Sequence, residues 1–190
     1  MPMLIKSNIN AYILAGGLSR RFGSNKAIYK IDGVTFLDKI FTTLQSNFTN
    51  IFTIGKEPYS EKMKFVPDFT DSQAAIVGII TALRHTTSLW NFIISVDMPY
   101  ITSDIVNLLQ KEIIDVDNNI IIPSVNKRIL PLFGLYHKNC LVYFEKAYSA
   151  KNYTLMNVIS PLRPKIIDLS PYNMKLRNVN TFEQLRKSDK

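Results

Sequence analysis

The chain has 190 residues, 46% of them hydrophobic and 20% charged, with a formal net charge of +8. That balance suits a globular protein with a sizeable core, and no apolar run reaches the ~18 residues of a membrane span. The single cysteine, Cys140, excludes a disulfide framework and a Cys/His metal cluster.

The opening MPMLIKSNIN lacks the long apolar stretch and small-residue cleavage site of a secretory signal, so a cytoplasmic setting is expected. NAYILAG reads as a buried strand ending at glycine. TFLDKIFTTLQSNF (35–48) repeats apolar residues at helical spacing, at Phe36, Leu37, Ile40, Phe41 and Leu44. NIFTIG and MKFVPD read as short strands, AAIVGIITALRHT as a helix and WNFIISVD as a fully apolar strand. TSDIVNLLQKEI predicts a helix capped by Thr102 or Ser103. NNIIIPS and ILPLFGLYH follow as strands, NCLVYFEKAY and YTLMNVIS as helices and KIIDL as a late strand. NTFEQLRKS closes as a helix with Asn180 or Thr181 as its cap. Strands alternating with helices predict an α/β fold, a three-layer α/β/α arrangement around a mostly parallel sheet. No repeat or long linker divides the chain, so residues 1–190 are expected to form a single domain.

The charge of +8 raises the question of a nucleic-acid partner. The lysines are scattered, however, with no block of five or six like charges, and the basic C-terminal stretch reads as a solvated helix face. Neither a nucleic acid nor a membrane is expected as partner, and anionic small-molecule substrates fit the charge. Monomer and weak homo-oligomer both stay open.

The densest chemical signal is ILAGGLSRRFGSNK, from Ile13 to Lys26, directly behind the first strand. In open α/β sheets, ligands bind beyond the carboxyl ends of the strands. Gly16 and Gly17 permit backbone torsions closed to other residues, so main-chain N–H groups could form an anion-binding nest. Arg21 and Lys26 add a phosphate-matching fork and a mobile point charge. Read as an exposed loop residue, Lys26 should matter little to stability. The Walker pattern fails because Ser24 follows Gly23, and the dinucleotide pattern fails because Gly16 and Gly17 are adjacent. What remains is L-A-G-G-x-S-x-R-x-G-x-x-K, matched by Leu14, Ala15, Gly16, Gly17, Ser19, Arg21, Gly23 and Lys26.

This pattern resembles the MobA family of molybdenum cofactor guanylyltransferases and, more broadly, the sugar-1-phosphate nucleotidyltransferases. FVPD at 65–68, ISVDMPYI at 94–101, ILPLFGLYH and NVNTFEQL at 178–185 extend the resemblance over nearly the full length. It implies a Rossmann-like fold of the nucleotide-diphospho-sugar transferase type. It also implies transfer of GMP from GTP to the terminal phosphate of molybdenum-molybdopterin, with release of pyrophosphate. Leu14, Ala15, Gly16, Gly17, Lys26, Asp68 and Asp97 would bind the nucleotide, and Asp97 would hold Mg²⁺. Lys26, Arg21 and Asp97 would be the catalytic groups. Asp68 and Asp97 also suit turns, and Asn180 suits a helix cap or a place facing the metal. His85 and His137 receive no chemistry.

Three departures stand out. The family's Gly-Pro-Leu-x-Gly turn is AAIVG here and keeps only Gly78. Ile54 stands where the family tends to place a nucleotide-contacting Asn, and Leu130 where some members have a polar residue before proline. Gly16, lacking the methyl found in pyrimidine-using relatives, is expected to leave room for a purine, with Asp68 or carbonyls near Leu14 accepting the guanine N–H groups. A cytidylyl- or sugar-phosphate nucleotidyltransferase and a non-catalytic nucleotide-binding module are the alternatives.

Overall fold

The structure, a computed structural model, describes residues 8–16, 26–115, 118–180 and 184. Among the described residues ten strands run in chain order: β1 Asn10–Leu14, β2 Lys30–Ile31, β3 Val34–Thr35, β4 Asn50–Gly55, β5 Lys64–Pro67, β6 Trp90–Ser95, β7 Ile120–Val125, β8 Arg128–Ile129, β9 Phe133–His137 and β10 Lys165–Asp168. Among the same residues five α-helices accompany them in full: α1 Phe36–Leu44, α2 Ala75–His85, α3 Ser103–Lys111, α4 Leu141–Ser149 and α5 Leu155–Ile159.

The main sheet has the order β10-β7-β9-β6-β1-β4-β5, with β8 attached to β7. β1 pairs in parallel with β4 and β6, β4 with β5, and β7 with β10. β9 runs antiparallel between β6 and β7. The sheet is therefore mostly parallel, with β9 inserted in reverse and the short β8 antiparallel to β7. From β1 the chain moves outward to β4 and β5, then returns through α2 to β6 on the other side of β1. That reversal opens a crevice at the carboxyl ends of the central strands.

Apolar side chains cover both faces of the sheet. Phe36, Leu37, Ile40 and Leu44 of α1 and Ile105, Val106 and Leu109 of α3 pack on one face. The buried residues of α2, with Phe144 of α4 and Leu155, Val158 and Ile159 of α5, pack on the other. This is the expected three-layer α/β/α arrangement. α1 begins where expected because the Thr35 hydroxyl oxygen accepts the Asp38 N–H at 3.0 Å, satisfying one orphan donor of the first turn. Thr102 takes the N-cap position of α3, without a side-chain cap bond. Among the described residues no helix is long and apolar enough to cross a membrane.

Two local features depart from the sequence reading. The stretch 129–137 is not one strand: β8 ends at Ile129, and β9 starts only at Phe133. Pro131 explains the break, since it has no N–H to give a ladder. The β2–β3 hairpin was not anticipated, although Asp32 and Gly33 turn it with φ of 53° and 79°. The closing helix expected at 180–188 lies outside the described residues apart from Asn180 and Gln184.

Candidate active site

Two clefts open at the carboxyl ends of the parallel strands. The first lies over β1, β4 and β5. It encloses about 430 Å³ and is lined by Leu14, Gly16, Ile54, Lys56, Asp68 and the start of α2. Asp68 follows β5, fixed by its N–H to Gly55 O at 2.9 Å. Its Oδ1 is buried without a hydrogen-bond partner. Burial pushes the carboxyl up, opposed by the charge of Lys56. Lys56 is itself braced, with Nζ donating to Thr70 O at 2.5 Å and Asp71 Oδ1 at 3.4 Å.

Three expectations change here. A methyl group on Gly16 would lie 2.9 Å from Asp68 Oδ2, so the missing side chain makes room first for Asp68 and not directly for a purine. The N–H groups of Ala15 and Gly16 both donate to Ile54 O, at 2.8 and 3.2 Å. They are spent joining β1 to β4 and do not contribute to a phosphate nest. Gly17 and Arg21 lie outside the described residues. Gly78, the remnant of the family turn, is a packing residue: a Cβ there would meet both Leu14 methyl groups at 3.0 Å. Ala74 and Ala75 start α2 without a side-chain cap and face the first cleft. An uncapped N-terminus presents N–H groups and partial positive charge.

Asp97 stands two residues beyond β6 and lines the second cleft, described below. Its Oδ1 is buried and unpartnered. Burial pushes the carboxyl up, opposed by the Ser95 hydroxyl and by the charges of Lys26 and Arg128. Lys26 opens the turn 26–28 and is not the exposed residue the sequence suggested. It is half-buried; burial pushes its ammonium down, while the Asp97 charge holds it up. Its Nζ donates to Asn180 Oδ1 at 2.6 Å, and Val179 N–H donates to Asp97 O at 2.8 Å. The C-terminal segment thus touches both charged residues, through a side chain in one case and the main chain in the other. Asn180 spends its side-chain oxygen on Lys26, a contact that its reading as a helix cap missed.

The second cleft, of about 470 Å³, lies on the other side of β6 and is lined by Asp97, Arg128, Leu130, Pro131, Leu155 and Asn178. Leu132 lines both clefts. No local pattern announced this cleft, because its walls come from four distant stretches of the chain. Among the described residues no three His, Cys, Asp or Glu side chains cluster as a metal site. The other nucleophile and base candidates sit away from the clefts. His85 Nδ1 meets Tyr12 OH at 2.9 Å. The Cys140 thiol is buried and pushed up to about 12.

Comparison with known proteins decides the family. The family model described as "MobA-like NTP transferase domain" matches residues 11–165. The chain belongs to this family. Among its relatives is a "Probable molybdenum cofactor guanylyltransferase" of Clostridium perfringens, 30% identical over 187 residues, covering 92% of this chain and 93% of the relative. A protein of the same name from Aquifex aeolicus is 30% identical over 193 residues, covering 95% and 90%. As an NTP transferase of the MobA-like family, the chain also shares its fold with solved structures. "Molybdopterin-guanine dinucleotide biosynthesis protein A" from Archaeoglobus fulgidus superposes with a TM-score of 0.82 at 18% identity, covering 95% of this chain and 96% of that one. The 2-C-methyl-D-erythritol 4-phosphate cytidylyltransferase of Francisella tularensis gives 0.72 at 17% identity, with 95% and 98% covered. Both likenesses speak to the fold.

Proposed function

We propose that this nucleotidyltransferase moves GMP from GTP to the terminal phosphate of molybdenum-molybdopterin and releases pyrophosphate. The observation that carries the reading is the buried, unpartnered Oδ1 of Asp97, which lies in the second cleft and feels the charge of Lys26. A binding module has no need of a desolvated carboxylate there, because leaving a buried acceptor unpaired costs free energy. The full chain, residues 1–190, is taken as one functional domain.

An oxygen of the acceptor phosphate forms a bond to the α-phosphorus of GTP. The bond from that phosphorus to the β-phosphate oxygen breaks, and pyrophosphate leaves with the electron pair. The attacking phosphate is already an anion, so no general base is required. Catalysis is then positioning and charge neutralisation. Lys26 neutralises charge on the triphosphate, held in place by Asn180, and Arg21 adds a second cation from the glycine loop. Asp68 faces the base, and the start of α2 offers N–H donors beside it. The orphaned Asp97 oxygen suits a hard cation, which needs only one or two carboxylates when phosphates supply other ligands. Asp97 would hold Mg²⁺, which when bound neutralises phosphate charge.

Guanine is the base expected. It alone offers adjacent N1–H and N2–H donors to a carboxylate such as Asp68, and a base that leaves buried acceptors unpaired is rejected. Unlabelled GTP, CTP and ATP competing for a labelled nucleotide test this. GTP should win by about tenfold, the factor one lost hydrogen bond supports. Equal competition by CTP would replace guanylyl with cytidylyl transfer.

A further inference from the structure

We propose that Arg177, stacked over Tyr100, is a positioning residue that clamps the segment 176–180 onto the turn after β6 and so fixes Lys26 and Asp97 relative to each other. This rests on the transfer reading above and gives a role to a residue which that reading leaves unused.

The segment 176–180 belongs to no helix or strand, so no ladder holds it in place. Its position comes from a few separate ties. Leu176 and Val179 are buried in the same core as α1 and α3. Two further ties reach one short turn, residues 97–100. Val179 N–H donates to Asp97 O at 2.8 Å. Arg177 lays its guanidinium over the Tyr100 ring, with Cζ 4.3 Å from the ring centroid. Asn180, next along the chain, accepts from Lys26 Nζ at 2.6 Å, and its own N–H donates to Gln184 Oε1 at 2.6 Å. One short segment thus bridges Asp97 and Lys26, and the stack anchors it three residues before the lysine contact.

The Tyr100 ring is a fixed platform. It packs half-buried against the core, and its neighbours Met98 and Ile101 are buried. An arginine suits this platform because a flat guanidinium stacks on an aromatic face, and the attraction grows as the cation loses water. The arrangement also has a cost. Arg177 Nε is buried without a hydrogen-bond partner. Among the described residues no carboxylate forms an ion pair with Arg177. A leucine would cover the ring without stranding an N–H group. It would also lack the directed grip of a cation on a ring, which is what a segment without a ladder needs. Loosening the stack frees Asn180 to shift, and Lys26 shifts with it. A displacement of about 1 Å at a reacting group lowers a rate by up to about a hundredfold.

The test follows the ring and the cation separately. Arg177→Ala and Tyr100→Leu should each lower kcat for GMP transfer about tenfold and leave the KM for GTP within about twofold, since charges are displaced and not removed. Tyr100→Phe, which keeps the aromatic face, should stay within about twofold of the wild type. Arg177→Lys, which keeps the charge without the flat stack, should fall between. Arg177→Ala added to Asn180→Ala should lower kcat little further, because both act through Lys26. Unchanged kcat in Arg177→Ala, a loss in Tyr100→Phe as large as in Tyr100→Leu, or full additivity with Asn180→Ala overturns the proposal. A wild-type protein that transfers no GMP would instead overturn the transfer reading, and urea melts would then decide the role of Arg177. The stability lost in Lys26→Ala should shrink in the Arg177→Ala background, and an unchanged loss overturns the clamp.

Discussion

Asp97→Asn should make the protein more stable and inactive, and the two effects share one cause. The substitution keeps the shape of the side chain and removes its charge. In the native protein Asp97 Oδ1 is buried without a partner, and desolvation is the dominant influence on the carboxyl. Lys26 and Arg128 oppose it without reversing the direction. Asparagine keeps that buried oxygen and removes only the charge, so the gain is the relieved desolvation, less the lost attraction to Lys26. The net stabilisation at neutral pH is about 1.4 kcal/mol for each unit by which the folded pKa exceeds the unfolded one, and each kcal/mol is worth about 2–4 °C in Tm for a chain of this size.

The sign fixes the pH window. The folded-state pKa of Asp97 lies above the unfolded value, so the native state binds more protons between the two. Wild-type stability therefore falls as pH rises through that interval. The advantage of Asp97→Asn should be absent below the unfolded pKa of about 3.9 and complete above the folded one. Urea unfolding of both proteins across this range measures it. Turnover should fall about a hundredfold or more, as on losing a preorganised electrostatic contact, and added Mg²⁺ should restore part of it. A variant of ordinary activity that is less stable at neutral pH would make Asp97 a turn residue and refute this reasoning.

Lys26→Ala should lower transfer by about two orders of magnitude. It should also cost about 1–2 kcal/mol, because Asp97 loses its opposing charge. The cost should shrink in the Asp97→Asn background, and strict additivity in urea melts would show that the two do not interact. Gly16→Ala should push Asp68 aside and weaken GTP binding about tenfold, while costing under about 1 kcal/mol, since a side chain can swing away. Unaltered GTP affinity by titration calorimetry would remove Asp68 from the base site. Gly78→Ala should cost about 1–3 kcal/mol by overpacking Leu14 and leave nucleotide preference unchanged. A changed preference in the competition assay would return Gly78 to the ligand.

What the sequence revealed depended on how local the signal was. The strands beneath the site are continuous apolar runs and the helices carry a 3.6-residue period, so the layers could be read directly. The β2–β3 hairpin and the break between β8 and β9 carry local signals as well, in Asp32-Gly33 and Pro131, but the sequence reading passed over both. The glycine loop and Asp97 could be found because their residues sit in fixed register within one short stretch each. The use made of Gly16 could not, because it depends on Asp68, which arrives from β5. The same holds for the Ala15 and Gly16 amides bound to Ile54 O, for Lys26 held by Asn180, and for Gly78 against Leu14. Each is a contact between segments far apart in the chain, and a one-dimensional pattern carries no distance between them. The second cleft is the extreme case, assembled from residues 97 to 178.

The most direct measurement is a single-turnover reaction of the purified protein with molybdenum-molybdopterin, Mg²⁺ and each nucleoside triphosphate in turn, with products identified by mass. GTP should yield one pyrophosphate for each molybdopterin converted to its guanine dinucleotide, and CTP and ATP should yield far less. Pyrophosphate without a dinucleotide product, a dinucleotide formed equally well from CTP, or GTP bound and returned unchanged would contradict the account.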